Sequence, residues 1–430
     1  KNFKNYNSFK KNINSEVLEI ARFHSKIMNE QTPLIELPEL ARTLGLKELL
    51  VKDESHRFGL NAFKALGASY AMSKQIKNNP RIKTFCTATD GNHGRAVAWM
   101  AKKLNKEAII YMPKGTISAR IDAIKTEGAK VVLIDKDYDV AVQMANKEST
   151  RKNWCLVQDT AWVGYEEIPL DIMKGYWTQV HETTKQINNK KIDLVILQSG
   201  VGSWAASVVY YIKNNWKEIP YFISVEPHSS NCLFESIRLG KKVSIKNKKS
   251  TKMAGLDCGS VSSLAWKTLS SSLIGCVSIS DKLSEKSMKA FAKPLKNDPI
   301  IESGESGASA LAALIGLCEQ NKHIDFKKKI GLDKKSTVLL FNTEGATDLR
   351  AAGIHLHGMT IGPAGQDGCR VHPGGRERAR GPWFTSIHST SHVCSQLRNH
   401  VILSGGHAAL VSGFGRSHRP QRPHARSARA

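Results

Sequence analysis

TFCTATDGNHGRAVAWMAKKLNKEAIIYMP, residues 84–113, is the stretch whose reading decides the fold. TFCTAT is a short β-rich run. A Gly-Asn-His-Gly turn follows, then RAVAWMAKKL with apolar residues at helical spacing, then a second strand-like run, EAIIYMP. A helix between two strands predicts parallel pairing through a crossover, because a helix-length connection cannot close a hairpin. The same alternation continues downstream. SARIDAIKTEG, YDVAVQMANKE and SWAASVVYYIKNN read as helices, and IPLDIMKGYWTQVHETTKQI reads as one long amphipathic helix. KVVLID, CLVQD, LVILQS, YFISVEP, CVSIS and STVLLFN read as strands. Short apolar strands separated by helices predict an α/β fold with mostly parallel sheets covered on both faces.

Composition bounds what such a chain can be. Of 430 residues, 41% are hydrophobic, enough to build a core, and the formal net charge is +25. No apolar run approaches the ~20 residues of a membrane span, so no integral membrane protein is expected. The opening KNFKNYNSFKKNINSE is basic but lacks the apolar segment of a secretory signal. The chain starts at Lys1 rather than Met, which reads as a fragment or a processed form. Eight cysteines are scattered with no Cys-x-x-Cys pair, so reduced thiols, a cytoplasmic location and no metal site are expected.

The basic charge changes its chemistry along the chain. Residues 1–348 hold 44 Lys and 8 Arg, whereas residues 349–430 hold 11 Arg, no Lys and nine of the 15 His. The two parts are therefore read as a body, 1–348, and an Arg/His-rich tail, 349–430, taken as a disordered or non-native appendage. His355 and His357 lie two apart without acidic or thiol company and are not read as ligands. The tail could bind nucleic acid by charge alone, but the Lys residues of the body fall on polar helix faces, so no nucleic-acid partner is expected.

Four segments carry chemistry. In SHRFGLNAFKALGASYAM (55–72), Asn61 is positioned to cap a helix whose first turn holds Lys64. Lys64 has only small or apolar neighbours. If buried, its ammonium is disfavoured and the free amine can form an imine; if exposed, it is a snorkelling surface lysine. In ATDGNHGRAVAW (88–99), glycines at 91 and 94 permit close ligand approach at a helix start, and Asp90 beside Asn92 and His93 offers acid–base chemistry. The same text also suits an ordinary strand-to-helix turn. In LVILQSGVGSWAAS (194–207), a strand, a glycine loop and a helix form a phosphate cradle. GVGSWA formally matches the dinucleotide fingerprint, but it comes late in the chain and only Glu226 follows as a ribose partner. In VLLFNTEGATD (338–348), Asn342, Thr343 and Glu344 end a strand, where polar groups face the crevice of an open sheet.

Together these four resemble the diaminopropionate ammonia-lyases, within the tryptophan-synthase-β-like (fold type II) pyridoxal-phosphate enzymes. FGLNAFKALG, TDGNHGRAVAW, VQDTAWVGYEEIP, SGVGSWA, MAGLDCG, NDPIIESGESGA and NTEGATD carry the resemblance, over roughly residues 30 to 348. It implies two open three-layer αβα domains, the smaller from about 84 to 190 and the larger from the flanking segments. It also implies pyridoxal 5′-phosphate as cofactor and a homodimer. Lys64 would hold the cofactor as a Schiff base, and Asn92 would bond its phenolic oxygen. Gly200, Val201, Gly202 and Ser203 would cradle the phosphate, and Asn342 and Thr343 would face the pyridine nitrogen. Thr89, Asp90, Asn92 and His93 would receive the substrate. Asp90 and Asp159 match the family's active-site carboxylates, and Gly304–Ala308 would line the site. The family usually has Ser and Asp where this chain has Asn342 and Ala346. The activity so implied is a carbon–nitrogen lyase reaction, 2,3-diaminopropionate plus water to pyruvate and two ammonia. Lys64 and Asp90 would act as bases on opposite faces, and Asp90 or Asp159 would protonate the leaving β-amino group. The competing readings are a threonine or serine dehydratase of the same fold, and a basic nucleic-acid-binding or inactive relative.

Overall fold

The computed structural model describes residues 13–27, 30–245, 249–319, 323–346 and the backbone of 410–411. Two sheets organise them. The smaller is wholly parallel, in the order β5 (Lys130–Ile134), β4 (Glu107–Pro113), β3 (Thr84–Ala88), β6 (Cys155–Leu156). Its crossovers are α4 (Asn92–Lys103), α5 (Ser118–Thr126) and α6 (Tyr138–Lys152). Every residue of β3 is buried, as expected of a central strand covered on both faces.

The larger sheet runs β1 (Leu34–Glu36), β2 (Glu48–Asp53), β10 (Thr337–Asn342), β7 (Leu194–Gln198), β8 (Tyr221–Pro227), β9 (Gly275–Ile279), β11 (Leu410–Val411). The five inner strands are parallel, and β1 and β11 pair antiparallel at the two edges. β2 and β10 meet in register from Glu48 with Thr337 to Asp53 with Asn342, which joins chain segments almost 300 residues apart. All eight strands read from the sequence are present. β1 and β2 were not read, because LKELLVKD looks like part of a polar surface segment until β10 buries it. The reading of the tail lies outside the described residues apart from Leu410–Val411, and so do His355 and His357.

Two local expectations are corrected. The run read as one helix is two, α7 (Glu167–Gly175) and α8 (Trp177–Gln186). The division falls at Tyr176, beside Gly175, where a Cβ would stand 2.4 Å from the Leu66 carbonyl oxygen, so only glycine allows this contact with the neighbouring helix. That neighbour, α3 (Lys64–Asn78), begins at Lys64 itself, with Phe63 as its cap. Asn61 does not cap it. It adopts the left-handed conformation, φ 56°, and its carbonyl accepts the Gly345 amide at 2.9 Å.

Candidate active site

In a parallel sheet every strand delivers the residues that follow it to the same edge, so polar side chains just past the carboxyl ends collect in one crevice. Here the segments after β3, β6, β7 and β10 and the first residue of α3 enclose a cavity of about 80 Å³, open to solvent. Its wall includes Lys64, Thr89, Asp90, Asn92, His93, Asp159, the loop 200–203 and Thr343. Asn342 is not brought to it. That side chain is fully buried, with its amide donating to Asp53 Oδ1 (2.8 Å) and the Glu302 carbonyl (2.7 Å), while its oxygen accepts from Ser303 Oγ (2.7 Å). Asn342 thus ties β10 to β2. Thr343 does reach the wall, its hydroxyl accepting from Gln198 Nε2 at 2.9 Å.

Lys64 Nζ donates to Asp159 Oδ2 at 2.6 Å, with the lysine side chain 20% and the aspartate 7% exposed. Burial alone would push the ammonium down, which is what the sequence suggested. The adjacent carboxylate outweighs burial, and Lys64 lies above its ordinary value. The expectation of an amine neutralised by its apolar neighbours is therefore corrected. The sequence neighbours of Lys64 are apolar, but its spatial neighbour, 95 residues away, is an anion. Asp159 shows the converse. Burial raises it, but Lys64 and then His93 bring it down to about 2. The Asp90 carboxyl has no such ion pair among the described residues, Arg120 Nη1 reaching only its backbone carbonyl at 3.5 Å. Burial, then the field of Asp257, push it up to about 7 against the opposing pull of Arg120. One cavity thus holds a carboxylate fixed as an anion and another poised near neutrality, the separation expected of an acid–base pair.

The turn after β3 is built around Thr89, whose hydroxyl accepts the amides of Gly91 (2.9 Å) and Gly94 (3.1 Å). A Cβ at Gly94 would lie 2.3 Å from Thr89 Cγ2, so glycine there permits the turn. His93 Nε2 lies 2.7 Å from the Val157 carbonyl and must donate to it. Burial pushes the ring's pKa down, and Nδ1 has no hydrogen-bond partner among the described residues, the Asp159 carboxylate standing 4.0 Å from it.

The loop after β7 leads into α9 (Ser203–Asn215) through Gly202, φ 84°, a backbone that favours glycine. A Cβ at Gly200 would stand 2.9 Å from the Gly255 carbonyl oxygen and 3.0 Å from Cys258 Sγ. The first-turn amides of a 13-residue helix open toward the cavity with no intrahelical acceptor, and Ser203 Oγ is fixed on the Asp159 carbonyl at 2.6 Å. Buried Gln198 Oε1 and Trp204 Nε1, both on wall residues, lack partners among the described residues. Backbone donors at a helix start, a glycine-shaped hollow and a reachable amine fit a phosphate-bearing aldehyde such as pyridoxal phosphate.

Several wall residues were not found in the sequence, Arg120, Tyr138, Gln198 and Cys258, whereas Glu344, read as a strand-end group facing the crevice, does reach the wall. Arg120 and Tyr138 open the helices that follow β4 and β5, so the rule that crevices lie beyond strand ends could have found them. Cys258 carried no such signal.

The comparisons with known proteins agree with this geometry. The family model described as pyridoxal-phosphate dependent enzyme matches residues 27–343. The diaminopropionate ammonia-lyase of Salmonella typhimurium is 41% identical over 366 residues, 78% of this chain and 90% of that protein. The Escherichia coli K12 enzyme of the same name is 39% identical, over 76% of this chain and 88% of its own. The crystal structure of diaminopropionate ammonia lyase from Escherichia coli, in complex with an aminoacrylate-PLP azomethine reaction intermediate, superposes with a TM-score of 0.75 at 38% identity. It covers 79% of this chain and 91% of that one. Maize serine racemase, 20% identical with a TM-score of 0.65, shares the fold. The chain therefore belongs to the pyridoxal-phosphate dependent enzyme family and, within it, to the diaminopropionate ammonia-lyases.

Proposed function

We propose that the chain catalyses the α,β-elimination of 2,3-diaminopropionate, yielding pyruvate and two ammonia. The observation that carries this is the Lys64 amine inside a cavity that also holds a carboxylate at each of two protonation levels, Asp159 and Asp90. Pyridoxal phosphate, when bound, supplies an electron sink that makes the substrate's Cα proton removable. Lys64 would hold it covalently, the 200–203 loop and the first turn of α9 would hold its phosphate, and Asn92 would hold its phenolic oxygen. The turn from Thr89 to His93 takes the substrate carboxylate. Lys64, freed by substrate, takes the Cα proton on one face. Asp90, near neutrality, either takes that proton from the opposite enantiomer or holds the one needed by the departing β-amino group. Asp159 would keep the Lys64 amine charged and placed until the cofactor binds.

A β-ammonium calls for a carboxylate partner, which the β-hydroxyl of serine or threonine does not. This favours the diamino acid over the dehydratase reading. We also propose that residues 1–348 form the catalytic body, with a smaller subdomain of about 84–190 around the four-stranded sheet, and that the enzyme is a cytoplasmic homodimer. The six described cysteines are all unpaired, in keeping with a reducing compartment. Among the described residues no helix is long and apolar enough to cross a membrane.

The test is the purified chain with pyridoxal phosphate. We expect a visible chromophore that borohydride fixes on Lys64, pyruvate release faster from diaminopropionate than from serine or threonine, and loss of both in Lys64→Ala. A colourless protein, or fixation at another lysine, refutes the reading.

A further inference from the structure

We infer that Glu344 is a positioning residue, which locks the amide of Asn92 in the one orientation that leaves an N–H for the cofactor's phenolic oxygen. The inference rests on the role proposed above for Asn92 and concerns how that role is enforced.

Asn92 opens α4, above the small sheet, and Glu344 lies just beyond β10, in the large sheet. They are 252 residues apart in the chain, yet Asn92 Nδ2 and Glu344 Oε2 are 2.6 Å apart across the cavity wall. A carboxylate can only accept, so the atom of Asn92 facing it must be nitrogen, and the amide cannot flip. One N–H is then spent on Glu344, and the other remains for a ligand. Without the carboxylate the oxygen and nitrogen of Asn92 could exchange places, and an oxygen turned toward a phenolate repels it.

The protein builds a seat for this one carboxylate. Glu344 is 5% exposed and has no ion pair among the described residues. Its other oxygen, Oε1, accepts the Ser306 amide at 3.0 Å, in the first turn of α13 (Glu305–Glu319), whose fifteen residues present a positive end to it. The Gly304 amide holds the Glu344 carbonyl at 3.0 Å. A Cβ at Gly304 would lie 2.8 Å from the Gly345 carbonyl oxygen and 2.9 Å from Glu344 Oε1, and one at Gly307 2.3 Å from Asn342 Oδ1 and 2.8 Å from the Glu344 carbonyl oxygen. The glycines of the GESGA segment thus leave room for the end of β10, Asn342 and Glu344 together. The segment shapes the site through Glu344 as well as lining it directly with Ser306.

A double-mutant cycle tests this. Glu344→Ala, Glu344→Gln, Asn92→Ala and the combination of Asn92→Ala with Glu344→Ala are titrated with pyridoxal phosphate. The dissociation constant and the pH dependence of the visible band are read, with thermal unfolding of each cofactor-free variant as the structural control. Glu344→Ala should weaken cofactor binding about ten- to a hundredfold, the range for a charge-assisted hydrogen bond, and displace the band's pH dependence. Glu344→Gln keeps one acceptor for two donors and should fall between. In the Asn92→Ala background the change at 344 should have no further effect. An undiminished effect of Glu344→Ala without Asn92, or wild-type affinity and band in both single variants at 344, overturns the inference. If Glu344→Ala does not fold, Glu344→Gln with and without Asn92→Ala gives the same comparison. A wild-type chain that forms no chromophore refutes the function proposed above, a result separate from additivity within a chromophore-forming series.

Discussion

Asp159→Asn isolates the charge that governs Lys64. Asparagine has nearly the shape of aspartate and can still accept from Nζ, so the variant deletes a charge and little volume. The magnitude follows from the pair itself. Asp159 is held at about 2, against an ordinary value near ~3.9, a gap worth roughly 3 kcal/mol, or about a hundredfold in proton affinity. Burial works the other way at Asp159, so the attraction by its neighbours, Lys64 foremost, is at least that large. Pairwise coupling is reciprocal, so the aspartate raises the proton affinity of Lys64 by a similar factor. Remove it, and burial becomes the main remaining influence on the amine. The unprotonated fraction of Lys64 near neutral pH should then rise about a hundredfold.

Stopped-flow absorbance of cofactor-free protein mixed with excess pyridoxal phosphate measures this directly. The rate of chromophore formation in Asp159→Asn should rise by up to about a hundredfold at neutral pH, with its pH dependence moved to lower pH, while turnover falls. A rate and pH profile identical to wild type would refute the electrostatic account of Lys64. The variant also has a stability signature. Asp159 is depressed in the folded state, so its contribution is present above the unfolded value near ~4 and is lost as pH falls toward 2. Wild type should lose more stability than the variant over that acid range.

Asp90→Asn should remove the limb of the kcat–pH profile near 7 and lower turnover of at least one enantiomer; an unchanged profile would separate Asp90 from the chemistry. Because the folded value of Asp90 is raised to about 7, wild-type stability should decline as pH climbs from ~4 toward 7, and the variant's Tm should decline less. Glu182→Ala addresses the scaffold beneath the site. Glu182 accepts from Lys52 Nζ at 2.9 Å and from Arg57 Nη2 at 2.6 Å, all three side chains under 10% exposed. Its loss leaves two buried cations under-compensated, at about 3–5 kcal/mol. Urea unfolding should show that loss, and a change below ~1 kcal/mol would mean water or rearrangement replaces the carboxylate.

Strand–turn–helix alternation was legible in the chain because period and turn chemistry are local properties. TFCTAT, the Gly-Asn-His-Gly turn and SGVGSWA each carry their conformation within a few residues, and the residues they present are those found on the cavity wall. Lys64, Asp90, Asn92 and Gly200 could be named from such text. β2 could not, because its burial comes from pairing with β10. The single-helix reading of 168–187 missed the division at Tyr176 because apolar periodicity runs through it, and the close approach of Gly175 to Leu66 is likewise visible only in the fold.

Local patterning dictated which elements form and which polar residues stand at their ends. Electrostatics was settled by long-range convergence. The charge of Lys64 depends on Asp159, 95 residues on, and the orientation of Asn92 depends on Glu344, 252 residues on. Asn342, next to cavity residues in the chain, is turned into the sheet instead. Proton affinity and hydrogen-bond direction respond to whatever lies within a few ångströms in space. The order of the chain does not record that distance, and folding does.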